Sequence, residues 1–204
     1  MDRKPGALPV ILSKDFPIWE PVLEATSALD MAGIREYILD QLAGDLTSIP
    51  SSPEKLLRWG ISSSHQSLIL EMLRFFAYRR LPLSEEEVIT LGEHAARVMF
   101  VRERVRTTFL SNPLVRFGRD ISPHNMCSKR TECRKFIIEA IVQNMTGSPN
   151  EIPKDDASDI FQVTSNRVCA QCQPIKLEMA RTLRKGDLDD ILRESSEGHV
   201  PNRE

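Results

Sequence analysis

Residues 82–106, PLSEEEVITLGEHAARVMFVRERVR, limit what this chain can fold into more than any other stretch. Ser84 stands three residues before Glu87, the capping-box spacing in which each side chain satisfies a backbone N–H that a helix start leaves unpaired. Leu83 and Val88 flank the box where they can close over it as a hydrophobic staple. Glu85, Glu86 and Glu87 open the element and Arg102, Arg104 and Arg106 close it, which suits the helix dipole at both ends. Val88, Leu91, Ala95, Val98 and Val105 recur at helical spacing. The pattern predicts one long helix over 84–106 with a single apolar face to bury.

Shorter helices precede it. A helix over 18–29 carries Trp19, Val22, Leu23, Thr26 and Leu29 to one side. Asp30 can cap a second, over 31–42, with Ile34, Ile38 and Leu42 inward and Gly44 as its terminator. Ser52-Pro53 reads as an N-cap with proline at the first helical position, opening a helix over 54–59 that Gly60 closes. Leu68, Ile69, Met72, Phe75 and Phe76 make a further amphipathic helix over 65–79. The loops are short and polar, as antiparallel helical neighbours require, and no alternating strand pattern interrupts them. The fold class expected is all-α: a helical bundle with a looser helical C-terminal part that carries the cysteines.

That looser part begins after Asn112-Pro113 and Gly118, a linker signal. A helix is expected over 131–144, a loop over 146–159, a helix after Pro174 and a last short one over 187–192. The organisation expected is an N-terminal extension (1–15), a helical region (16–110), a helical Cys-containing region (111–194) and a disordered tail (195–204).

The strings WEPVLEATSALDMAGIREYILDQL, PEKLLRWGISS and LPLSEEEVITLGEHAARVMFVRERVR, in this order, resemble the helical region that follows the BTB/POZ domain in fungal BTB domain-containing proteins. The run Ile34-Arg35-Glu36-Tyr37-Ile38-Leu39-Asp40-Gln41-Leu42 carries that family's helix pattern, and the likeness covers roughly residues 16–106. It extends to Cys127-Ser128-Lys129-Arg130-Thr131-Glu132-Cys133 and to Cys169-Ala170-Gln171-Cys172, which are similar to a cysteine-bearing helix start and a later C-x-x-C in those proteins. The sequence departs from the family in the segment ISSSHQSLILEMLRFFAYRR, where the relatives continue with a tryptophan-bearing helix. The BTB module itself, which the resemblance would place before this region, is not in the sequence; self-association is expected only if such a module lies upstream. The resemblance implies a protein–protein interaction module, an adaptor or scaffold fragment with a protein partner.

Composition agrees with an ordinary folded chain: 41% apolar, 27% charged and a net charge of -2, which argues against wholesale nucleic-acid binding. The charge is uneven, however. Residues 97–135 carry ten Lys and Arg against three acids. Hence the alternative reading, a zinc-stabilised nucleic-acid-binding protein using Arg116, Arg119, Lys129, Arg130, Arg134 and Lys135 around the cysteines. No apolar run approaches the ~18–20 residues of a membrane span, so an intracellular chain with reduced thiols, in cytoplasm or nucleus, is expected.

The four cysteines form the one constellation with chemical content. Cys169 and Cys172 have the C-x2-C spacing that sets two thiolates on one tight turn, and Cys127 with Cys133 would complete four soft ligands for a structural zinc. His124 is an alternative ligand, since His124-x2-Cys127 has the tighter spacing. The competing reading makes them small buried hydrophobes, and a redox pair at Cys169/Cys172 lacks its usual βαβ setting. Beyond such a zinc no cofactor is expected. His65, His94, His124 and His199 are scattered, and there is neither a Gly-rich phosphate loop nor a G-x-S-x-G, so no catalytic residues and no enzyme are expected.

Overall fold

The computed structural model describes residues 9–45, 49–111, 123, 125–146, 167–172 and 187–196. Among them lie eight α-helices and no strand, the all-α class expected. The chain divides into two compact units, Met1–Met72 and Leu73–Glu204.

In the first unit a 3₁₀ turn, Ser13–Asp15, leads into α1 (Phe16–Ala28), which buries Phe16, Leu23 and Thr26. Helix α2 (Ala32–Gly44) packs on α1 and buries Ile38, Leu39, Leu42 and Ala43. Val22, Leu29 and Ile34, expected inward, face solvent. Asp30 does not cap α2. It takes the left-handed conformation, φ 53°, that closes α1: the Met31 N–H donates to the Thr26 carbonyl at 2.8 Å and Asp30 N–H to that of Ser27 at 3.4 Å. This is the Schellman pattern, in which aspartate tolerates the left-handed position better than most residues. The Asp45 carboxylate, just past α2, accepts from the Ser13 N–H at 2.8 Å and its hydroxyl at 3.0 Å, fixing where the chain enters α1.

Helix α3 (Pro53–Ser62) starts at the expected proline but runs through Gly60. Gly60 is buried, and a Cβ there would lie 3.1 Å from Ile69 Cγ1 and 3.2 Å from the Ile69 nitrogen, so the glycine permits close approach rather than ending the helix. Helix α4 (Gln66–Tyr78) begins beside His65, whose Nδ1 accepts from the Leu68 N–H at 3.2 Å in the manner of an N-cap. Leu68, Ile69 and Met72, on its first-unit part, are buried.

In the second unit the capping box is complete: Glu87 N–H donates to Ser84 Oγ at 3.2 Å and Ser84 N–H to Glu87 Oε2 at 2.7 Å. The single helix expected over 84–106 is two, α5 (Glu85–Leu91) and α6 (His94–Ser111). The break falls at Gly92, whose φ of 54° costs a residue without Cβ little. Leu91, Ala95, Val98, Val101 and Val105 are buried, while Val88, before the break, stays exposed.

Because α6 continues to Ser111, Arg102 and Arg106 are not its terminal turn. Arg102 is buried and donates to the carbonyls of Phe76 at 2.8 Å and Arg80 at 2.9 Å, and Arg106 reaches the same Arg80 carbonyl at 3.4 Å. They satisfy the acceptors that the end of α4 leaves open. Burial first, then the neighbouring charges of Arg106 and Arg79, pushes the Arg102 pKa down to about 9.

Helix α7 (Arg130–Thr146) follows, and α8 (Asp187–Ser196) packs on α6 with Ile191 and Leu192 buried. Arg97 donates to the Ser195 carbonyl, and Arg104 pairs with Glu194 at 3.4 Å. Ser195 and Ser196, where the sequence predicts the start of a disordered tail, are buried in this last helix. The loop expected over 146–159 starts one residue too early, since Thr146 ends α7; its remainder, the expected linker near Gly118, the helix after Pro174, His124 and His199 lie outside the described residues. No helix among the described residues is long and apolar enough to cross a membrane.

Candidate metal centre

Two short segments build the site. Cys127 sits in the turn before α7, pinned by a 2.7 Å bond from the Arg130 guanidinium to the Asn125 carbonyl. Cys133 lies in the first turns of α7, its N–H bonded to the Lys129 carbonyl at 2.9 Å. Cys169 precedes a 3₁₀ turn, Ala170–Cys172, which the Cys172 N–H closes onto the Cys169 carbonyl at 2.9 Å. Both segments thus turn tightly enough to present two sulfurs on one side, as C-x2-C knuckles do.

The second segment is held against α7 by more than its cysteines. The Arg167 guanidinium lies 3.8 Å over the Phe136 ring and pairs with Glu139 at 3.4 Å, and the neighbouring Val168 is buried. This anchor has no periodic signature, and an arginine two residues before the C-x2-C is its one trace in the sequence.

The sulfurs converge. Cys127 Sγ is 3.6 Å from both Cys133 Sγ and Cys169 Sγ, and the four sulfurs all lie within 4.8 Å of one another. A tetrahedron of Zn–S bonds of about 2.3 Å has S···S edges of about 3.8 Å, so the observed spread brackets that geometry with little movement. Cys127, Cys133 and Cys172 are buried and Cys169 is partly exposed, and none forms a disulfide. All four cysteines singled out in the sequence meet, across 42 residues of chain between Cys127 and Cys169.

Electrostatics divides them. Burial works against a Cys169 thiolate, but hydrogen bonds from the Cys172 backbone N–H and from the thiols of Cys172, Cys127 and Cys133 outweigh it and bring its pKa down to about 7. For Cys133 a backbone hydrogen bond with Cys169 lowers the pKa, yet burial, the bonds to the Cys127 and Cys169 sulfurs and the charge on Cys169 push it up overall. Of the two sulfurs, Cys169 is the one that more readily becomes the thiolate a soft metal takes as its ligand.

Among the described residues, His65 and His94 each have a carboxylate neighbour of their own. His65, besides its capping role, places Nε2 2.9 Å from Asp40, and His94 lies 3.9 Å from Glu93. In the first unit a groove of about 420 Å³ is lined by Glu20, Glu24, Lys55, Arg58, Trp59 and Ser62, with Lys55 and Glu20 paired across it at 2.8 Å. No family model, no curated protein and no solved structure matches the chain.

Proposed function

We propose that this chain is a non-enzymatic protein-interaction module, of the kind that follows the BTB domain in fungal BTB proteins, whose second unit is tied by a structural zinc on Cys127, Cys133, Cys169 and Cys172. The observation that carries the reading is the convergence of four sulfurs within 4.8 Å. Four protein thiolates fill a tetrahedral shell and leave no position for substrate, the mark of structural rather than catalytic zinc. Zinc would offset two of the four thiolate charges and cross-link the turn before α7 to the 167–172 segment, adding its binding energy to folding. Free thiols for this purpose fit an intracellular, reducing compartment. Exposed apolar side chains on α5 and α6, Ile89, Met99 and Phe100 among them, would be available to a protein partner.

The nucleic-acid reading is weakened by the same structure. In the basic segment Arg97, Arg102, Arg104, Arg106 and Arg130 donate to backbone carbonyls or carboxylates of the chain itself, Lys129 and Lys135 form exposed pairs with Glu132 and Glu139, Arg134 also has an interaction within the chain, and Arg116 and Arg119 lie outside the described residues. The test is elemental analysis of purified protein alongside binding to single- and double-stranded DNA and RNA across a salt series. One zinc per chain, lost in Cys172→Ser, with no salt-dependent nucleic-acid binding is expected. Protein folded without zinc, or binding that falls steeply with salt, overturns the reading.

A further inference from the structure

Helix α1 is apolar around more of its circumference than its packing uses. Phe16, Leu23 and Thr26 are buried on one side. About 100° round the helix Ile18, Val22, Ala25 and Leu29, spaced 4-3-4, form a second apolar stripe that faces solvent. Met31, in the turn, and Ile34, in the first turn of α2, are exposed apolar side chains that follow it in the chain. Ile18 is 71% exposed, Leu29 65%, Ile34 51%, Met31 44% and Val22 38%. A helix apolar on two sides is ordinarily buried on both.

We infer that this stripe is a self-association surface, on which a second copy of the chain docks α1 against α1 about a two-fold axis. Three observations favour a second copy. First, the area fits: at roughly 200 Å² for a fully exposed side chain of this size, the five large residues leave about 500 Å² in solvent, the apolar share of a standard homodimer interface of about 800 Å² per partner. Second, between Ala25 and Ile34 the sole charged residue is Asp30, and Glu20 and Glu24 project from another side of α1, so two identical stripes meet without facing rows of like charge. Third, 4-3-4 spacing is the seam along which identical helices interdigitate, and two-fold dimers are the commonest closed assembly. A charged peptide partner would find no complementary charge on the stripe. The inference goes beyond the interaction-module reading and uses no cysteine, so it stands or falls independently of zinc.

Sedimentation equilibrium of the full chain in reducing buffer, from about 1 to 200 μM, tests it. The expected mass rises toward twice the 23.2 kDa of one chain. Val22→Glu and Leu29→Glu, both at exposed positions, should keep helical circular dichroism and raise the dimer Kd on the order of thirtyfold or more. Leu29→Ser, which removes apolar area without adding charge, should weaken the dimer in the same direction and decides the matter should a glutamate variant lose helix. A monomer at every concentration overturns the inference, whether the stripe is bare or taken by a different protein. A dimer whose Kd is unchanged in Leu29→Ser and in the folded glutamate variants overturns it as well.

Discussion

Glu87 does two jobs at one place, and separating them is a sharp test of how the second unit is held. Its carboxylate accepts the Ser84 N–H of the capping box and also receives both terminal nitrogens of Arg79 at 2.5 Å. Arg79 is itself committed: it donates to the Leu81 and Pro82 carbonyls, and its guanidinium sits 5.0 Å over the Phe76 ring, so it cannot swing to water when its partner goes. Glu87→Gln preserves shape and one acceptor but removes the charge and turns an amide N–H₂ toward a guanidinium. Removing one partner of a buried pair costs about 3–5 kcal/mol. Here the side chains keep 10% and 15% exposure, so a cost at or somewhat below the bottom of that range, about 2–3 kcal/mol, applies. Ser84→Ala removes only the cap and should cost about 1 kcal/mol. The pH dependence follows. Burial raises the Glu87 pKa, but the hydrogen bonds from Arg79 and Ser84 outweigh it, so the folded value lies below the ordinary 4.5. A depressed carboxyl pKa contributes stability that is full above the unfolded pKa and lost as pH falls through the folded one. Urea unfolding followed by circular dichroism should therefore show Glu87→Gln well below wild type at pH 7, with the gap closing below about pH 4. A gap at pH 7 under about 0.5 kcal/mol, or one no larger than that of Ser84→Ala, would refute the reasoning.

Three further outcomes are expected. Arg167→Ala, which removes the stacking and ion pair that hold the C-x2-C segment on α7, should weaken zinc retention against a competing chelator by about tenfold while leaving one zinc per chain at saturation; unchanged retention would mean that the metal alone positions the segment. Arg102→Lys should cost about 2 kcal/mol in urea unfolding, because an ammonium cannot span the Phe76 and Arg80 carbonyls as the planar fork does, and a neutral result would sink the capping role. Gly60→Ala should gain none of the ~1 kcal/mol that alanine offers inside a helix, since the new methyl meets the Ile69 backbone nitrogen at 3.2 Å; a net gain of that size would show that the helices can part there.

What the sequence disclosed depends on how local the cause is. The capping box was legible because its donors and acceptors lie within four residues, and the four cysteines were legible because soft ligands are rare and their spacing short. Periodicity found helices but not their sides. Val22, Leu29 and Ile34 satisfy the helical spacing as well as Leu23 and Ile38 do, and only tertiary packing decides which set is covered. Gly92 inside a periodic run reads as tolerated; its positive φ, which splits α5 from α6, is a backbone property with no signal beyond the glycine itself. The dipole argument sets Arg102 and Arg106 at a helix end because the apolar spacing stops there, whereas α6 runs on to Ser111. Their true partners, carbonyls 22 to 26 residues back, are non-local and left no trace in spacing.

The choice between packed thiols and a metal centre turns on what the sulfurs face. A cysteine that serves as a small hydrophobe gains by touching aliphatic and aromatic carbon, and it would do so at least as well with its sulfur turned toward a leucine. Here each sulfur is turned toward three others. Gathering four polarizable thiols from two segments far apart in sequence requires both segments to be ordered around one point, where hydrogen bonds within the cluster bring the Cys169 pKa down to about 7. Packing alone gives no reason to accept that cost. A divalent cation does, because it offsets two of the four thiolate charges and satisfies each sulfur with a metal bond. If this is right, loss of any one sulfur should not act like removal of a buried methyl group, worth about 1 kcal/mol. Cys127→Ala and Cys172→Ala should each cost several times that in zinc-loaded protein, and the two costs should fall far short of adding in the double variant, since the first substitution already releases the metal. Small additive costs from the two would favour packed thiols instead.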